Sequence, residues 1–181
     1  MTRPIVFGAA LVLSLSPSLA RAQAASPYTE AAKAQFAMIK VNLAKTAEKV
    51  PENLYSFKPT PEVRSLGEIV GHVADANYAI CAAGAGEKPP QNAPQGGFEK
   101  GAHAKADLTK ALNDSIAYCD RVLAAMDDKK GAETVRFFGG PTPKLAVLNF
   151  NIQHCNEHYG NLVTYMRLKG IVPPSSEPSG R

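Results

Sequence analysis

The sequence has no tryptophan, only three cysteines, and no run of basic residues longer than the pair Lys129-Lys130. Proteins that bind nucleic acids usually carry clusters of lysine and arginine or glycine-aromatic motifs, and neither is present. A formal net charge of +4 and a pI near 9.0 are therefore weak evidence, and we expect no nucleic-acid partner. The sequence also shows no sustained alternation of apolar and polar residues, which argues against a protein built mainly from strands.

Long apolar runs are absent after the first two dozen residues, so we expect no membrane span in the rest of the chain. The length of 181 residues, with 45% hydrophobic and 20% charged residues, suffices for one hydrophobic core and is too ordinary in composition for disorder. A large multidomain enzyme is excluded.

The first 24 residues have the three-part layout of a secretory signal peptide. Arg3 supplies the positive charge, and an apolar stretch over residues 5–15 is followed by small residues before the expected cleavage point. Pro17 interrupts this stretch, which is also shorter than the roughly 20 residues of a membrane span. We therefore expect residues 1–24 to be removed and residues 25–181 to form one exported domain, periplasmic or extracellular.

Three cysteines in an exported chain allow one disulfide with one thiol left over. Cys81 and Cys119 are the preferred pair because each falls in a separate predicted helix, whereas Cys155 lies between candidate metal ligands. The alternative, three small buried hydrophobic side chains without a disulfide, stays open.

Four segments show helical periodicity. They cover residues 28–50, 65–82, 107–126 and 143–169. Ser65 and Glu68 form a capping box at the start of the second segment. Thr142 and Pro143 are typical of the N-cap and first position of the last helix, and Gly170 ends it. Four amphipathic helices in a chain of this size predict an all-α four-helix bundle.

Two segments between the helices carry weaker signals. Residues 84–104 are rich in Gly, Pro, Gln and Ala, which predicts a long surface loop with Phe98 as its anchor. His103, in the same loop, suggests no functional role. Residues 134–138 predict one short extended strand, too isolated to form a sheet.

Three histidines form a candidate metal site. His154 and His158 lie four residues apart, so both imidazoles project from one helix face about one turn apart, as two ligands of one metal ion do. His72, near the core-facing side of the second helix, can complete a three-imidazole site across the bundle. Three neutral histidines leave a coordination position for water, as catalytic metals require. A solvated or structurally hydrogen-bonded pair is the alternative.

Asp75, Glu157 and Tyr165 are the candidate catalytic residues around these histidines. Asp75 lies one turn after His72 and can hydrogen-bond an imidazole N–H, or can be an ordinary surface acid. Glu157 and Asp75 are the nearby acids suited to a general base, and Tyr165 can donate to a developing anion. Residues 154–158 also match the H-x-x-E-H signature of inverted zinc proteases, but the short remaining sequence offers no convincing third ligand.

The most distinctive residues lie in three segments, Ile69–Tyr78, Ser115–Asp120 and His154–Ser175. They resemble the DinB-like (DinB/YfiT) superfamily of four-helix-bundle metalloproteins, and within it an exported bacterial subgroup. The resemblance implies that His72, His154 and His158 bind a divalent metal ion, with zinc or nickel favoured over iron or manganese. Many members have glutamine where this chain has Asn161, which puts the hydrogen bonding around the ligands in doubt.

Characterised members of that superfamily include transferases and isomerases that use low-molecular-weight thiols. The resemblance therefore implies a small-molecule substrate and a metal ion that converts a thiol into a thiolate nucleophile. We expect an exported metal-dependent transferase or hydrolase whose substrate the sequence does not name. A non-catalytic metal-binding or stress-protective bundle is the alternative, and a purely structural bundle is a third. Many members are dimeric, so a homodimer is a further expectation from the resemblance.

Overall fold

The computed structural model describes residues 26–91, 93 and 97–178, so the expected signal peptide lies outside the described residues. The helices are α1 (Pro27–Lys49), α2 (Leu66–Ala85), α3 (Lys105–Ala124), α4 (Asp128–Ala132) and α5 (Lys144–Leu168), and the strands are β1 (Thr134–Phe137) and β2 (Gly140–Pro143). Two short 3-10 helices cover Glu52–Leu54 and Pro174–Ser176. Within the described part of the chain, no helix is both long and apolar enough to cross a membrane.

The four long helices form a bundle in which α1 and α2 each pack against both α3 and α5. Helix α1 shows why: Phe36, Ile39 and Leu43 recur at a spacing of three or four residues and are all buried. Their side chains join a single hydrophobic core with those of the other long helices. The predicted all-α bundle is therefore confirmed.

Helix α2 begins and ends at residues that the sequence marks clearly. The Ser65 hydroxyl accepts the Glu68 N–H, while the Glu68 carboxylate accepts the Ser65 N–H, which completes the predicted capping box. At the other end Gly86 adopts a φ of 79°, a left-handed conformation that glycine tolerates best. The helix extends to Ala85, three residues beyond its predicted end at Ala82.

A β-hairpin replaces the lone strand that we predicted over residues 134–138. Strand β1 pairs antiparallel with β2, so the prediction that this segment is too isolated for a sheet was wrong. Phe138 and Gly139 form the two-residue turn, with φ values of 45° and 87°. Two-residue hairpin turns usually contain Asn-Gly or Asp-Gly. Here the first turn residue is phenylalanine, so the sequence does not show the usual hairpin motif.

The hairpin also moves the start of the last helix. Thr142 and Pro143 belong to β2, so the prediction that they open the helix was wrong and α5 begins at Lys144. A proline has no N–H to donate, but the edge of a two-stranded sheet tolerates this. The Lys144 N–H donates to the Glu133 carbonyl and closes the hairpin at the start of α5.

A disulfide joins Cys81 of α2 to Cys119 of α3, the pair that the sequence favours. Cys155 is a free thiol with no exposed surface, and burial raises its pKa to about 12. Its Sγ lies 3.3 Å from Oδ1 of Asn77, a buried side chain that also accepts a hydrogen bond from Asn151. Cys155 is therefore a core residue and not a fourth metal ligand.

Candidate metal centre

The three candidate ligands meet where α2 and α5 pack together. His72 projects from α2, and His154 and His158 project from α5; one ligand nitrogen from each lies within 4.8 Å of the other two. The Nε2 atom of His154 is 3.0 Å from Nε2 of His72 and 3.1 Å from Nε2 of His158. Three imidazoles from two helices therefore point the same ring nitrogen at one place.

The helical pattern explains this convergence. Ile69 and Val73 of α2 are buried at 1% and 0% exposure, so His72 between them is held at the edge of the core. On α5 the spacing of four residues stacks the two imidazoles along the helix face that meets α2. His158 is buried at 6% exposure, while His72 and His154 are half-buried.

Glu99 fixes the orientation of one ligand. Its Oε2 lies 2.7 Å from Nδ1 of His72. A carboxylate only accepts hydrogen bonds at neutral pH, so Nδ1 of His72 carries the proton and Nε2 presents its lone pair to the cluster. Many metal-binding histidines are oriented by a carboxylate in this way.

The other two rings are held less firmly. The Asn161 carboxamide lies 3.4 Å from Nδ1 of His158. Rotation of that carboxamide can present either an acceptor or a donor to the ring. Nδ1 of His154 is buried and has no hydrogen-bond partner among the described residues. The contact with Glu99 thus determines which ring nitrogen of His72 carries the proton. No contact determines this for His154 or His158 to the same degree.

The electrostatics of the cluster favour neutral imidazoles. Burial, with smaller effects from the neighbouring histidines and Arg64, lowers the pKa of His154 to about 4. Burial also lowers the pKa of His158 to about 4, with a smaller effect from His72. A neutral imidazole has a lone pair on one ring nitrogen, which is the atom that a divalent cation binds. The donor set, three imidazole nitrogens, therefore fits a divalent metal ion.

The three candidate catalytic residues lie in different surroundings. The Asp75 carboxylate accepts the backbone N–H groups of Phe98 and Glu99 at 3.2 and 3.0 Å. Asp75 therefore holds the segment that carries Glu99, and Glu99 takes the imidazole contact that we expected of Asp75. Glu157 is exposed to solvent. The Tyr165 side chain is buried, and its hydroxyl donates to the carbonyl of Arg64 at 3.0 Å.

Sequence reasoning missed Glu99 because it lies in the long loop between α2 and α3. Phe98 packs against the core, as expected of the loop's anchor, and carries the next residue toward His72. The sequence feature that could have indicated this role is that Glu99, an acidic residue, directly follows the predicted anchor Phe98. His103, for which we expected no role, lies outside the cluster with its Nε2 2.8 Å from the carbonyl of Gly97.

A cavity of about 510 Å³ adjoins the histidines, and His158 and Glu99 belong to its wall. The rest of the wall includes Asn161 and Tyr165 of α5 and Arg64, which directly precedes the N-cap of α2. Small-molecule sites commonly have this size and combine apolar surface with a few polar groups. A ligand in the cavity would lie beside the metal position.

The lowered pKa values predict a specific pH dependence for the metal-free protein. Above pH 6.5, His154 and His158 are neutral in both folded and unfolded chains. Between pH 6.5 and about pH 4, these two histidines are protonated in the unfolded chain but neutral in the folded chain. The free energy of unfolding therefore falls as the pH falls through this window. From pH 7 to pH 5 we expect a loss of about 2 kcal/mol for each of the two histidines, about 4 kcal/mol in all, in urea unfolding. A His154→Gln/His158→Gln variant with the same slope would contradict this.

Comparison with known proteins shows which sequence family and which solved structures this chain resembles. The sequence profile of the DinB superfamily matches residues 35–162, which include all three histidines. No curated protein matches the sequence of this chain. The structure is similar to a DinB-like protein from Bacillus cereus, with a TM-score of 0.64 and 20% identity over 80% of this chain and 95% of that chain.

Two further structures have the same fold. A DinB-like protein from Bacillus subtilis gives a TM-score of 0.63 at 20% identity, over 77% of this chain and 92% of that chain. A mycothiol-dependent maleylpyruvate isomerase gives 0.61 at 16% identity, over 74% of this chain and 60% of that chain. At these identities the likeness establishes the fold alone. The profile match over residues 35–162 shows that this chain belongs to the DinB superfamily.

Proposed function

We propose that this chain is an exported metalloenzyme that binds a divalent metal ion, zinc or nickel, through His72, His154 and His158. The observation that carries the proposal is the convergence of three imidazole nitrogens within 4.8 Å of one another beside a cavity. When bound, such an ion lowers the pKa of a coordinated thiol or water molecule and so supplies a nucleophile at neutral pH. The reaction class is a transfer or a hydrolysis, with a low-molecular-weight thiol as the first co-substrate to examine.

The chain's own residues have separable tasks in this proposal. The three histidines hold the ion, and Glu99 keeps the His72 lone pair directed at it. The buried wall formed by Ile69 limits water on one side of the cavity. The Tyr165 hydroxyl is engaged with the Arg64 carbonyl, so its task is to hold that segment in place rather than to donate a proton.

The alternative function, metal sequestration without turnover, is less well supported. A storage site is favoured by a fourth protein ligand, for example a carboxylate, that closes the coordination sphere. Here the carboxylate nearest to the cluster, Glu99, is bound to Nδ1 of His72 and to Arg64, on the far side of the ring from the ligand nitrogen. Among the described residues, the metal-binding group therefore consists of three histidines and no carboxylate.

Two observations support export, and a third supports a thiol co-substrate. Residues 1–24 have the pattern of a signal peptide, and the disulfide between Cys81 and Cys119 suits an oxidising compartment. One protein of the same fold is a mycothiol-dependent isomerase, which makes low-molecular-weight thiols the natural first set of ligands to screen. A homodimer stays a proposal, to be tested by light scattering.

Elemental analysis of the protein produced by export and without a polyhistidine tag tests the proposal. We expect one divalent metal ion per chain in the wild type, and a loss of at least about 100-fold in affinity in His72→Ala and in His154→Ala/His158→Ala, because two or fewer ligands remain. His103→Ala is the matched control, since His103 lies outside the cluster. A folded wild type that binds no metal after reconstitution would leave only a structural bundle.

A further inference from the structure

The cavity beside the histidines contains a cation held in a defined position. Arg64 is anchored twice: its backbone carbonyl accepts the Tyr165 hydroxyl at 3.0 Å, and its Nε donates to Oε1 of Glu99 at 2.9 Å. The side chain is nevertheless 43% exposed, and it forms part of the cavity wall. A long side chain fixed at its backbone and at Nε has little freedom left to lose when a ligand binds.

In the described part of the chain, the Arg64 guanidinium is contacted only at Nε. The contact with Glu99 uses Nε of Arg64. Among the described residues, the two terminal nitrogens of Arg64 have no hydrogen-bond acceptor and can bind a ligand. The terminal N–H groups of arginine match the two oxygens of a carboxylate in a planar, bidentate arrangement. Lysine, with a compact and strongly hydrated charge, does not reproduce this geometry.

Glu99 links Arg64 to one of the metal-binding imidazoles. One of its oxygens contacts Nε of Arg64 and the other contacts Nδ1 of His72, at 2.9 and 2.7 Å. A single carboxyl group therefore separates the cation from a metal-binding imidazole. Arg64 and the ligand His158 line the same cavity, so one molecule bound there can contact both the metal position and the guanidinium.

The acidic groups of the cavity do not cancel this positive charge. Glu99 shares its negative charge between Arg64 and His72. The Glu62 carboxylate is fully exposed, and hydrogen bonds to its own backbone N–H and to Thr60 lower its pKa. Because the Glu62 carboxylate is fully exposed, water and salt screen its charge, and the terminal N–H groups of Arg64 keep their capacity for an anion.

We infer that Arg64 binds a carboxylate of the substrate, so that the substrates of the proposed function are small acids with a thiol or hydroxyl group a few atoms from the carboxylate. This inference rests on the proposed metal site for the second half of the ligand. The cavity of about 510 Å³ accommodates such a molecule with room for a further substituent. Arg64 is a specificity-determining residue in this arrangement.

Two short thiols that differ only in their charged end test this inference. The protein is loaded with Co²⁺, whose absorption spectrum changes when sulfur binds, and is titrated with 3-mercaptopropionate and with 3-mercapto-1-propanol. We expect 3-mercaptopropionate to bind about tenfold more tightly to the wild type, the value of one charge-assisted hydrogen-bonded contact. Arg64→Gln should bind both thiols equally, and Arg64→Lys should recover only part of the preference.

Controls separate this inference from a role of Arg64 in building the metal site. Arg136→Gln, which removes an arginine from the hairpin, should keep the full preference. In Arg64→Gln the ratio of the two thiol affinities is the readout, because losing the contact with Glu99 affects both thiols alike, whereas losing the guanidinium affects only the carboxylate. A preference that survives in Arg64→Gln, or equal binding of both thiols to the wild type, overturns the inference.

A titration of the metal-free protein distinguishes failure of this inference from failure of the metal proposal. Nitrogen-15 NMR of the arginine side chains is followed while propionate is added, and the Nε–H signal of Arg64 should move while that of Arg136 stays in place. If the chain binds no Co²⁺ but the Arg64 signal moves, the metal proposal fails and the carboxylate site stands. An Arg64 signal that does not move contradicts the carboxylate site, whether or not Co²⁺ binds.

Discussion

Gly71→Ala is expected to lower the free energy of unfolding by about 3 kcal/mol, a large effect for one added methyl group. A Cβ atom at residue 71 would lie 2.1 Å from the Phe98 carbonyl oxygen and 2.9 Å from the Glu99 backbone nitrogen. These are backbone atoms, which cannot turn aside as a flexible side chain can. The loop must therefore move away from α2 and give up its hydrogen bonds to Asp75.

The same substitution should weaken metal binding. Displacing the loop removes the Glu99 carboxylate from His72, and the loss of such an orienting partner typically lowers metal affinity about 10- to 100-fold. Glu99→Gln should lower metal affinity by a similar factor with little change in stability, because it removes the charge and leaves the loop in place. Urea unfolding and a competition titration with a metal chelator measure the two quantities separately.

Gly160→Ala is the matched control for Gly71→Ala. Gly160 also lies within a long helix, α5, but a Cβ atom added there would have nothing within 4 Å of it, and the residue is exposed. Alanine has the higher helix propensity, so this variant should gain up to about 1 kcal/mol. If Gly71→Ala were as stable as Gly160→Ala and bound metal normally, the close packing of the loop on α2 would be disproved.

Removal of the disulfide is the second change with a large expected effect. Cys81 and Cys119 are separated by 38 residues, and opening a loop of this length restores chain entropy worth about 4 kcal/mol to the unfolded state. Cys81→Ala/Cys119→Ala should therefore be less stable than the wild type by about that amount in urea unfolding. The loss of two buried sulfur atoms adds a smaller packing cost.

Cys155→Ala separates the cross-link from the packing of a buried sulfur. Cys155 is equally buried but has no disulfide, so its replacement should cost only about 1 kcal/mol. A thiol assay on the unfolded, non-reduced wild type should detect one free cysteine. Detection of three, or equal stability losses in the two variants, would contradict the cross-link.

The long helices could be predicted because their signals are local. The apolar side chains of α1 recur every three or four residues and mark the buried face wherever the helix packs. The Ser65–Glu68 capping box depends on contacts within a single turn. The hairpin was missed for the opposite reason, since the turn at Phe138 and Gly139 lacks the residues that normally indicate it.

For the candidate ligands, the local sequence pattern predicts the helix face on which each histidine lies. The spacing of His154 and His158 places two imidazoles on one face of α5, and the apolar neighbours of His72 place it toward the core. Each of these statements concerns one helix. That His72 completes a site with the other two histidines was predicted from its position and was also implied by the family resemblance, and the structure places the Nε2 atoms 3.0 and 3.1 Å apart.

The sequence by itself determined the long helices and which cysteines and histidines lie on them, because these features depend on the spacing and type of residues within one helix. Only the tertiary structure decided that Glu99 orients His72 and that Arg64 faces the adjoining cavity. These contacts join residues 27 and 35 positions apart through a loop without periodicity. Its path is set by Phe98 packing on the core and by the missing side chain of Gly71, which no local pattern encodes.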